Sequence, residues 1–297
     1  MPSRPQSTTI AVDEPFELPL ALRGHGWIWL QPHRLDEARC EWSVPLRVGR
    51  GVALATVTQK KKDAIAVRLA GARRLSLRDV EAARRAIARM LRLDEDLTPF
   101  WAMCAKTKEL AWVAKRGGGR MLRSADLFED FLKILFTTNC TWAATTSMTQ
   151  KLVDAIGAEG PDGSRAFPTA QDCEREPAFF RDVVRAGYRA DACVALAHGF
   201  ANGELGDARF LDADIDTATM RKRVLALRGF GPYAAGQALR LCGRYDDLAL
   251  DSWCRAEAAS KLTRSRTPSD AWFRRRYAPF GSFAGLAMWC ELTADWH

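Results

Sequence analysis

The stretch "LRGFGPYAAGQALRLCGRYDDLALDSWCR", residues 227–255, decides how this chain folds. Gly229 and Gly231 interrupt two runs of residues whose apolar spacing is helical, which predicts two helices joined by a tight turn. Pro232 suits the first turn of the second helix, where its missing N–H costs nothing. Asp251 follows an apolar triplet, twenty residues beyond Gly231. The stretch therefore predicts a helix–hairpin–helix unit followed by a carboxylate at the edge of an apolar run.

The two hairpin glycines have two explanations. Glycine adopts left-handed backbone conformations without penalty and lets a second backbone approach closely. Backbone N–H groups at the start of the second helix would then point outward, and such donors bind phosphate. A site of this kind holds the backbone of a nucleic acid without reading its bases. In the alternative explanation, the glycines only allow two helices to pack against each other.

Charge and composition narrow the class of protein. The chain has 297 residues, of which 47% are hydrophobic, and this is typical of a folded globular protein. Lys and Arg total 44 against 36 for Asp and Glu, so the formal net charge is +8. A basic balance of this size favours a polyanionic partner such as nucleic acid, although many proteins without one are equally basic.

The cysteine pattern argues against several metal centres. No two cysteines have the close spacing that zinc ribbons and iron–sulfur clusters need, so scattered free thiols in a reducing compartment are expected. The first thirty residues lack a signal-peptide pattern, and no apolar run is long enough to span a membrane. We therefore expect a cytoplasmic protein that is not secreted and has no membrane partner. The eight cysteines are at positions 40, 104, 140, 173, 193, 242, 254 and 290.

The chain divides into three segments by pattern. Residues 1–14 predict a flexible N-terminus, and residues 15–92 predict a β-rich domain followed by a helix that starts at Ser76. Residues 93–297 are mostly helical in pattern, with one helix expected to start at an N-cap, Ser124. The fold class is thus α+β. The predicted strands are "FELPLAL", "CEWSVPLRV", "VALATVTQ" and "AIAVRLA".

From Leu127 to Asp295 the sequence resembles the helix–hairpin–helix DNA glycosylases, the HhH-GPD superfamily. Five landmarks carry the resemblance in order: "FEDFLKILFTTNCTW", "AGYRADACV", "LRGFGPYAAGQAL", "LALDSW" and "YAPFGSFAGLAMW". The N-terminal "LALRGHGWIW" resembles the additional β domain of the AlkA-type and 8-oxoguanine enzymes. The resemblance implies a mostly α-helical glycosylase fold with a small N-terminal antiparallel β domain, and an active-site cleft between helical subdomains.

The resemblance implies that Asp251 is the catalytic residue, facing C1′ of a flipped nucleotide. A carboxylate there stabilises the positive charge that develops on the sugar and orients or deprotonates the attacking water. Asp251 also suits the N-cap of the helix that follows, and both roles are compatible. The members with lyase activity carry a lysine where this chain has Tyr233, and no lysine lies between Lys222 and Lys261. The resemblance therefore points to a monofunctional enzyme that uses water.

The DNA-contacting residues follow from the same resemblance. Beside the hairpin residues Gly229, Gly231 and Tyr233, Asn139 matches the residue that fills the gap left by the flipped base. The pair Tyr188 and Arg189 matches a wedge that hydrogen-bonds the orphaned partner base. The 8-oxoguanine enzymes place an arginine five residues after the asparagine, where this chain has an alanine. Strict selection for an opposite cytosine is therefore not expected.

The base pocket implied by the resemblance is aromatic. Tyr233 and Trp289 match residues that stack on the extruded base, and Trp253 is placed in the same pocket. Gly24 matches a backbone carbonyl that senses an oxidised ring. The glutamine that reads the base edge in the 8-oxoguanine enzymes corresponds to Gly285. The pocket is thus expected to favour flat, electron-poor bases.

One ion and one partner are implied. The carbonyl groups of Leu225, Leu227 and Phe230 match positions that hold a structural K⁺ or Na⁺ ion in the family, and no other cofactor or iron–sulfur cluster is expected. The implied partner is double-stranded DNA that contains a damaged base. A monomer associated with the nucleoid in the cytoplasm is expected.

The sequence therefore favours a monofunctional DNA glycosylase of base excision repair. Alkylated purines rank first as substrates, because aromatic faces attract cationic rings. Three alternatives stay open: an 8-oxoguanine-type glycosylase, a glycosylase with lyase activity and a displaced lysine, and a non-catalytic DNA-binding protein that uses the hairpin only to contact phosphates.

Overall fold

The computed structural model describes residues 4–12, 15–263 and 266–297. By its internal contacts the chain forms two compact units. The first unit consists of Met1–Glu95 and Arg120–Gly206, and the second of Asp96–Gly119 and Asp207–His297. Residues 120–206 thus group with the N-terminal sheet, whereas the sequence pattern grouped them with the C-terminal helices. Helical spacing identifies a helix but not the neighbours against which it packs.

The first unit contains an antiparallel sheet of five strands among the described residues: β1 (Gln6–Ala11), β2 (Arg34–Asp36), β3 (Glu41–Val48), β4 (Gly51–Lys61) and β5 (Ala64–Gly71). In the sheet they lie in the order β1-β5-β4-β3-β2. Its core side chains include Trp42, Val57 and Val67, which are almost fully buried. The prediction of an N-terminal antiparallel β domain in an α+β fold is therefore confirmed.

Two predictions about the N-terminal region are wrong. Residues 6–11 were expected to be flexible, but they form edge strand β1, which pairs with β5 from Gln6↔Leu69 to Ala11↔Ala64. Backbone pairing orders this segment despite its polar composition. The "FELPLAL" run is also not a strand, because Leu18–Arg23 forms helix α1 with a proline in its first turn. Apolar residues are so frequent in that run that its periodicity does not distinguish a strand from a helix. Residues 1–3 and 13–14 of the expected flexible segment lie outside the described residues.

Side-chain caps set the starts of the helices. Ser76 caps its helix as predicted, in a capping box with Asp79. The helix predicted to start at Ser124 instead begins at Leu127 and is capped by Asp126, whose carboxylate accepts a hydrogen bond from the Glu129 N–H at 2.9 Å. Both residues are favoured caps, so sequence alone could not separate two candidates two positions apart.

The remaining elements complete the two units. No helix within the described ranges is long and apolar enough to cross a membrane. The first unit adds α2 (Leu77–Met90), α5 (Leu127–Thr137), α6 (Trp142–Ile156), α7 (Ala190–Ala201), the 3₁₀ helices Gly26–Trp29 and Gly187–Arg189, and the π-helical turn Phe179–Val183. The second unit contains α3 (Thr98–Cys104), α4 (Ala111–Arg116), α8 (Asp207–Phe210), α9 (Thr217–Leu225), α10 (Pro232–Leu241), α11 (Ser252–Lys261), α12 (Asp270–Tyr277), α13 (Ala284–Leu292), and the 3₁₀ helices Lys108–Leu110, Ala278–Phe283 and Ala294–Trp296.

Candidate active site

The hairpin between α9 and α10 in the second unit has the predicted form. Gly229 has a φ of +84°, in the left-handed region that favours glycine. Phe230 is buried and its N–H donates to the Leu227 carbonyl at 3.1 Å, which closes the turn. Gly231 differs from Gly229, because its φ of −91° suits any residue and a Cβ atom added there would meet no atom within 4 Å. Nothing inside the described chain therefore requires a glycine at position 231.

The hairpin directs the start of α10 to the surface. Gly231 is the N-cap of this helix and has no side chain with which to satisfy the first N–H groups. Pro232 occupies the first turn, and Tyr233 follows with 36% of its surface exposed. An exposed helix start of this kind carries partial positive charge and suits an anion such as a phosphate.

Asp251 is the N-cap of α11, as predicted. Its Oδ1 accepts a hydrogen bond from the Cys254 N–H at 2.7 Å, which fixes the carboxylate against the helix start. Its Oδ2 lies 3.5 Å from Nε2 of Gln237 on α10. The carboxylate is half-buried. One oxygen is thus committed to the helix, while the other makes a long contact and keeps the capacity to accept further hydrogen bonds.

The segment leading to Asp251 is held tightly on α10. Ala249 has a φ of +48°, an unfavourable conformation for a residue with a side chain. A Cβ atom added at Gly236 would lie 2.6 Å from the Cβ of Ala249, so only glycine allows this approach. Asp247 accepts hydrogen bonds from the Ala249 N–H at 2.7 Å and from Nη1 of Arg221 at 2.5 Å. Packing and polar contacts therefore fix the backbone that carries the carboxylate.

Two polar residues of α10 were not predicted from the sequence: Gln237 lies beside Asp251, and Arg240 lies beside Gln237. Gln237 is one helical turn after Tyr233, and Arg240 follows three residues later, so the three share one face of the helix. The Gln237 Oε1 accepts a hydrogen bond from Nη1 of Arg240 at 3.3 Å. Arg240 is 1% exposed and lies over the ring of Trp289, 4.5 Å from its centroid. The helical spacing from Tyr233 was the available signal for both residues.

Three tryptophans, one of them on α11, form a cluster. The ring centroids of Trp253 and Trp289 lie 5.4 Å apart, and Trp296 lies 5.6 Å from each of them. Trp289 is only 8% exposed, whereas Trp296 is 38% exposed and Trp253 is half-buried. The structure thus brings together Trp253 and Trp289, two of the residues predicted for the base pocket, and their role in binding a base stays a prediction. A ligand would meet Trp253 and Trp296 before Trp289, and Trp296 was not among the predicted residues.

Gly285 could not carry the base-reading side chain that it replaces. Its N–H donates to the Tyr245 carbonyl at 2.6 Å, and a Cβ atom added there would lie 2.1 Å from the Asp247 carbonyl oxygen. Any larger residue would displace the segment that leads to Asp251. The glycine is therefore a packing requirement of this chain, and no glutamine at this position can read a base.

In the first unit, the structure brings together two of the predicted DNA-contacting residues. Asn139 is exposed and has a φ of +45°. Its Nδ2 donates a hydrogen bond at 3.2 Å to the hydroxyl of Tyr188, which is 67% exposed. Two segments far apart in sequence thus present an amide and a phenol at one surface position.

The buried side chain of Arg189 connects these two segments. The residue is buried, with its guanidinium over the Tyr188 ring at 4.5 Å. It donates to the Thr138 Oγ1 at 3.1 Å, to the Ala186 carbonyl at 3.2 Å, and to the Thr138 carbonyl. In this conformation Arg189 positions Tyr188 and does not project outward. A direct contact between Arg189 and a base stays a prediction that requires these bonds to break.

Gly24, also in the first unit, lies at a tight packing position. A Cβ atom added there would lie 2.3 Å from the carbonyl oxygen of Arg120. The nearby Trp27 is buried and donates from Nε1 to Oδ1 of Asp130 at 2.8 Å. The close approach of the Arg120 carbonyl explains why residue 24 is a glycine, without any ligand. Its proposed role in sensing an oxidised ring stays a prediction.

The candidate cation site consists of backbone groups of the hairpin. The Leu227 carbonyl already accepts the Phe230 N–H, and a carbonyl oxygen can accept a second contact. Binding of K⁺ or Na⁺ by Leu225, Leu227 and Phe230 stays a prediction. Within residues 4–12, 15–263 and 266–297, no group of three or more His, Cys, Asp or Glu side chains is placed to hold a metal ion.

Lys261 is the lysine that follows Asp251 most closely in the second unit, and its amine is occupied. It lies in the last turn of α11, about 15 Å along the helix from its start at the usual rise per residue. Its Nζ bonds the Leu292 carbonyl and Asp295 at 2.6 Å each and Glu257 at 2.8 Å. Burial lowers the pKa of Lys261, but its hydrogen bonds and ion pairs with Asp295 and Glu257 outweigh that effect and raise the pKa overall. A protonated amine in such contacts is a poor nucleophile.

The fold is similar to the folds of solved DNA glycosylase structures. The 3-methyladenine DNA glycosylase from Archaeoglobus fulgidus matches with a TM-score of 0.77 at 16% identity, over 97% of this chain and 98% of that one. The 8-oxoguanine glycosylase/lyase from Clostridium acetobutylicum, in its apo form, matches with a TM-score of 0.72 at 18% identity, over 98% and 97%. MBOgg1 in complex with a low-affinity DNA ligand matches with a TM-score of 0.73 at 16% identity, over 96% and 94%. No protein-family model and no curated protein matches the sequence.

Proposed function

We propose that this protein is a monofunctional DNA glycosylase that flips a damaged base out of duplex DNA and hydrolyses its N-glycosidic bond. The observation that carries the proposal is the placement of Asp251. Its carboxylate is fixed at a helix start by one oxygen, while the other faces Gln237 on the helix that begins at the hairpin. The likeness in fold to proteins named as DNA glycosylases supports the same reaction.

The chemistry follows from a fixed negative charge. Cleavage of the N-glycosidic bond leaves positive charge on the sugar, and a preorganised carboxylate stabilises that charge in the transition state. The second oxygen of Asp251 can orient the attacking water and accept its proton. Extrusion of the nucleotide costs a few kcal/mol, and less for a damaged or mispaired base. In this proposal the exposed start of α10 holds the DNA backbone while Asn139 and Tyr188 occupy the gap in the duplex.

The product should be an intact abasic site. Tyr233 stands where a covalent mechanism needs an amine, and Lys261 is held in three polar contacts. We therefore expect borohydride to trap no protein–DNA adduct during turnover, and the strand to break only after alkaline treatment. The Clostridium acetobutylicum glycosylase/lyase serves as the positive control on 8-oxoguanine DNA. An adduct formed by this chain would contradict the monofunctional assignment and support the alternative with lyase activity.

We propose alkylated purines as the preferred substrates. The cluster of Trp253, Trp289 and Trp296 favours flat cationic rings, by about 0.5–2 kcal/mol per contact, and the glycosidic bonds of such bases are already weakened. The second candidate is 8-oxoguanine, and one observation favours it: the guanidinium of Arg240 already lies over Trp289, and its positive charge disfavours another cation nearby.

Release of each base from defined duplexes under single-turnover conditions tests this order. We expect N3- or N7-methylated purines to be released faster than 8-oxoguanine. Rapid release of 8-oxoguanine without release of methylated purines would reverse the order. A chain that binds duplex DNA but releases neither these bases nor uracil would support the non-catalytic alternative.

The expectation of a monomer is tested by size-exclusion chromatography of the same protein samples.

A further inference from the structure

We propose that Gln237 and Arg240 form a positioning relay that holds the carboxylate of Asp251 in its reactive orientation. The proposal rests on the proposed function, since it assigns to Asp251 the role of the catalytic carboxylate. All three residues belong to the second unit. Neither Gln237 nor Arg240 needs to touch DNA in order to act.

The relay is a continuous line of polar contacts. Nη1 of Arg240 donates to Oε1 of Gln237 at 3.3 Å, and Nε2 of Gln237 lies 3.5 Å from Oδ2 of Asp251. Oδ1 of Asp251 accepts the Cys254 N–H at 2.7 Å. The carboxylate is thus contacted at both oxygens, by α11 through its backbone and by α10 through a side chain. A group held from two helices cannot rotate without losing a contact.

Arg240 determines which way the Gln237 amide faces. A guanidinium offers only donors, so the amide oxygen must face Arg240 and the amide NH₂ must face Asp251. The reverse orientation would place two donors against each other and two acceptors against each other. Arg240 is itself fixed, because Nη2 donates to the Leu248 carbonyl at 3.4 Å and the guanidinium lies over the Trp289 ring. The direction of the amide is therefore set from the interior of the unit.

Burial indicates that these polar groups are present for a reason other than solubility. Gln237 is 7% exposed and Arg240 is 1% exposed, whereas neighbouring positions of α10 carry alanine, glycine and leucine. Apolar residues could fill the same space, and burying polar groups is unfavourable unless they are hydrogen-bonded. Side chains that bond one another and end at Asp251 fit a role in orienting the carboxylate.

The length of the final contact matters for the mechanism. At 3.5 Å the Gln237 amide orients Oδ2 of Asp251 without saturating it, so that oxygen can still accept a hydrogen bond from water. The relay therefore directs the carboxylate and leaves Oδ2 able to bind water.

The test compares Gln237→Met with the wild type. Methionine preserves the length and volume of the side chain but removes both polar groups. We expect the single-turnover excision rate to fall by about tenfold or more, because small misplacements of a catalytic group have effects of this size. The affinity for a duplex with an abasic site should stay within about twofold. Gln150→Met is the matched control, because Gln150 makes an exposed hydrogen bond to Asp154 at 2.7 Å on α6 of the first unit.

Arg240→Lys provides the second variant. Lysine retains the charge and a donor group, so the Arg240→Lys variant should keep more activity than Arg240→Met. If the methionine variant does not fold, the lysine variant still tests the relay. If the residues act as one relay, Gln237→Met combined with Arg240→Lys should be no slower than Gln237→Met alone.

Several outcomes would overturn the relay. A Gln237→Met rate within threefold of wild type would do so, as would additive losses in the double variant or a parallel loss of abasic-site binding. A wild-type chain that excises no base would overturn the proposed function and the relay with it. Normal excision by Gln237→Met would overturn the relay alone.

Discussion

The Asp251→Asn variant should excise its substrate at least about 100-fold more slowly than the wild type, since loss of one preorganised electrostatic contact to a transition state has effects of this size. The substitution preserves the shape of the side chain and removes its charge. Asparagine also caps helices well, so its oxygen can still accept the Cys254 N–H. The fold, and the affinity for DNA with an abasic site, should therefore persist.

Single-turnover excision, abasic-site binding and thermal unfolding together check this expectation. Asp216→Asn is the matched control, because Asp216 caps α9 and accepts a hydrogen bond from the Thr219 N–H at 2.7 Å. It makes the same chemical change at a helix start without a proposed catalytic role. If Asp251→Asn retained activity within threefold of wild type, Asp251 would be a helix cap and nothing more.

Gly231→Leu should weaken binding to damaged and undamaged duplexes alike by about tenfold or more, a loss of about 1.4 kcal/mol, while thermal stability stays near that of the wild type. The space around Gly231 is open and its φ is ordinary, so leucine fits the chain itself. A bulky side chain there would keep a phosphate away from the start of α10. Phosphate contacts carry no sequence information, so specific and non-specific binding should fall together.

Two other glycines separate this effect from folding. Gly229→Leu should lower thermal stability, because Gly229 has a φ of +84°. Gly206→Leu should change neither stability nor binding, because a Cβ atom added at Gly206 also meets nothing within 4 Å and lies outside the hairpin. Electrophoretic mobility shifts with both duplexes and a thermal melt measure these quantities. Unchanged affinity in a stable Gly231→Leu variant would mean that the hairpin does not anchor DNA.

The sequence predicted those features of the candidate site that depend on residues close together in the chain. The glycine-proline pattern predicted the hairpin, because left-handed backbone and helix starts demand particular residues. Asp251 was expected to cap α11, and the structure confirms the cap. Three of the four predicted strands are present, since alternation and β-branched residues are reliable where one face is buried. These features depend on residues close together in the chain.

Features that depend on distant contacts could not be predicted in the same way. Strand β1 forms because it pairs with the edge of β5, and the sequence "QSTTIA" alone does not indicate that partner. The burial of Arg189 depends on the loop at Thr138, fifty-one residues away. Trp296 joins Trp253 and Trp289 only because the last 3₁₀ helix lies against α11 and α13. Sequence spacing identified the candidate residues, but which of them face outward depends on the tertiary structure.

The tight packing of the segment that leads to Asp251 affects the free energy of binding. Gly236 on α10 and Gly285 on α13 each allow this loop to approach a helix at distances that a side chain would forbid. The loop has therefore lost most of its conformational entropy during folding. An active site that is ordered in advance adds no ordering cost when DNA arrives. Under the proposed function, more of the free energy of DNA association is then left to extrude a nucleotide, a step that costs a few kcal/mol.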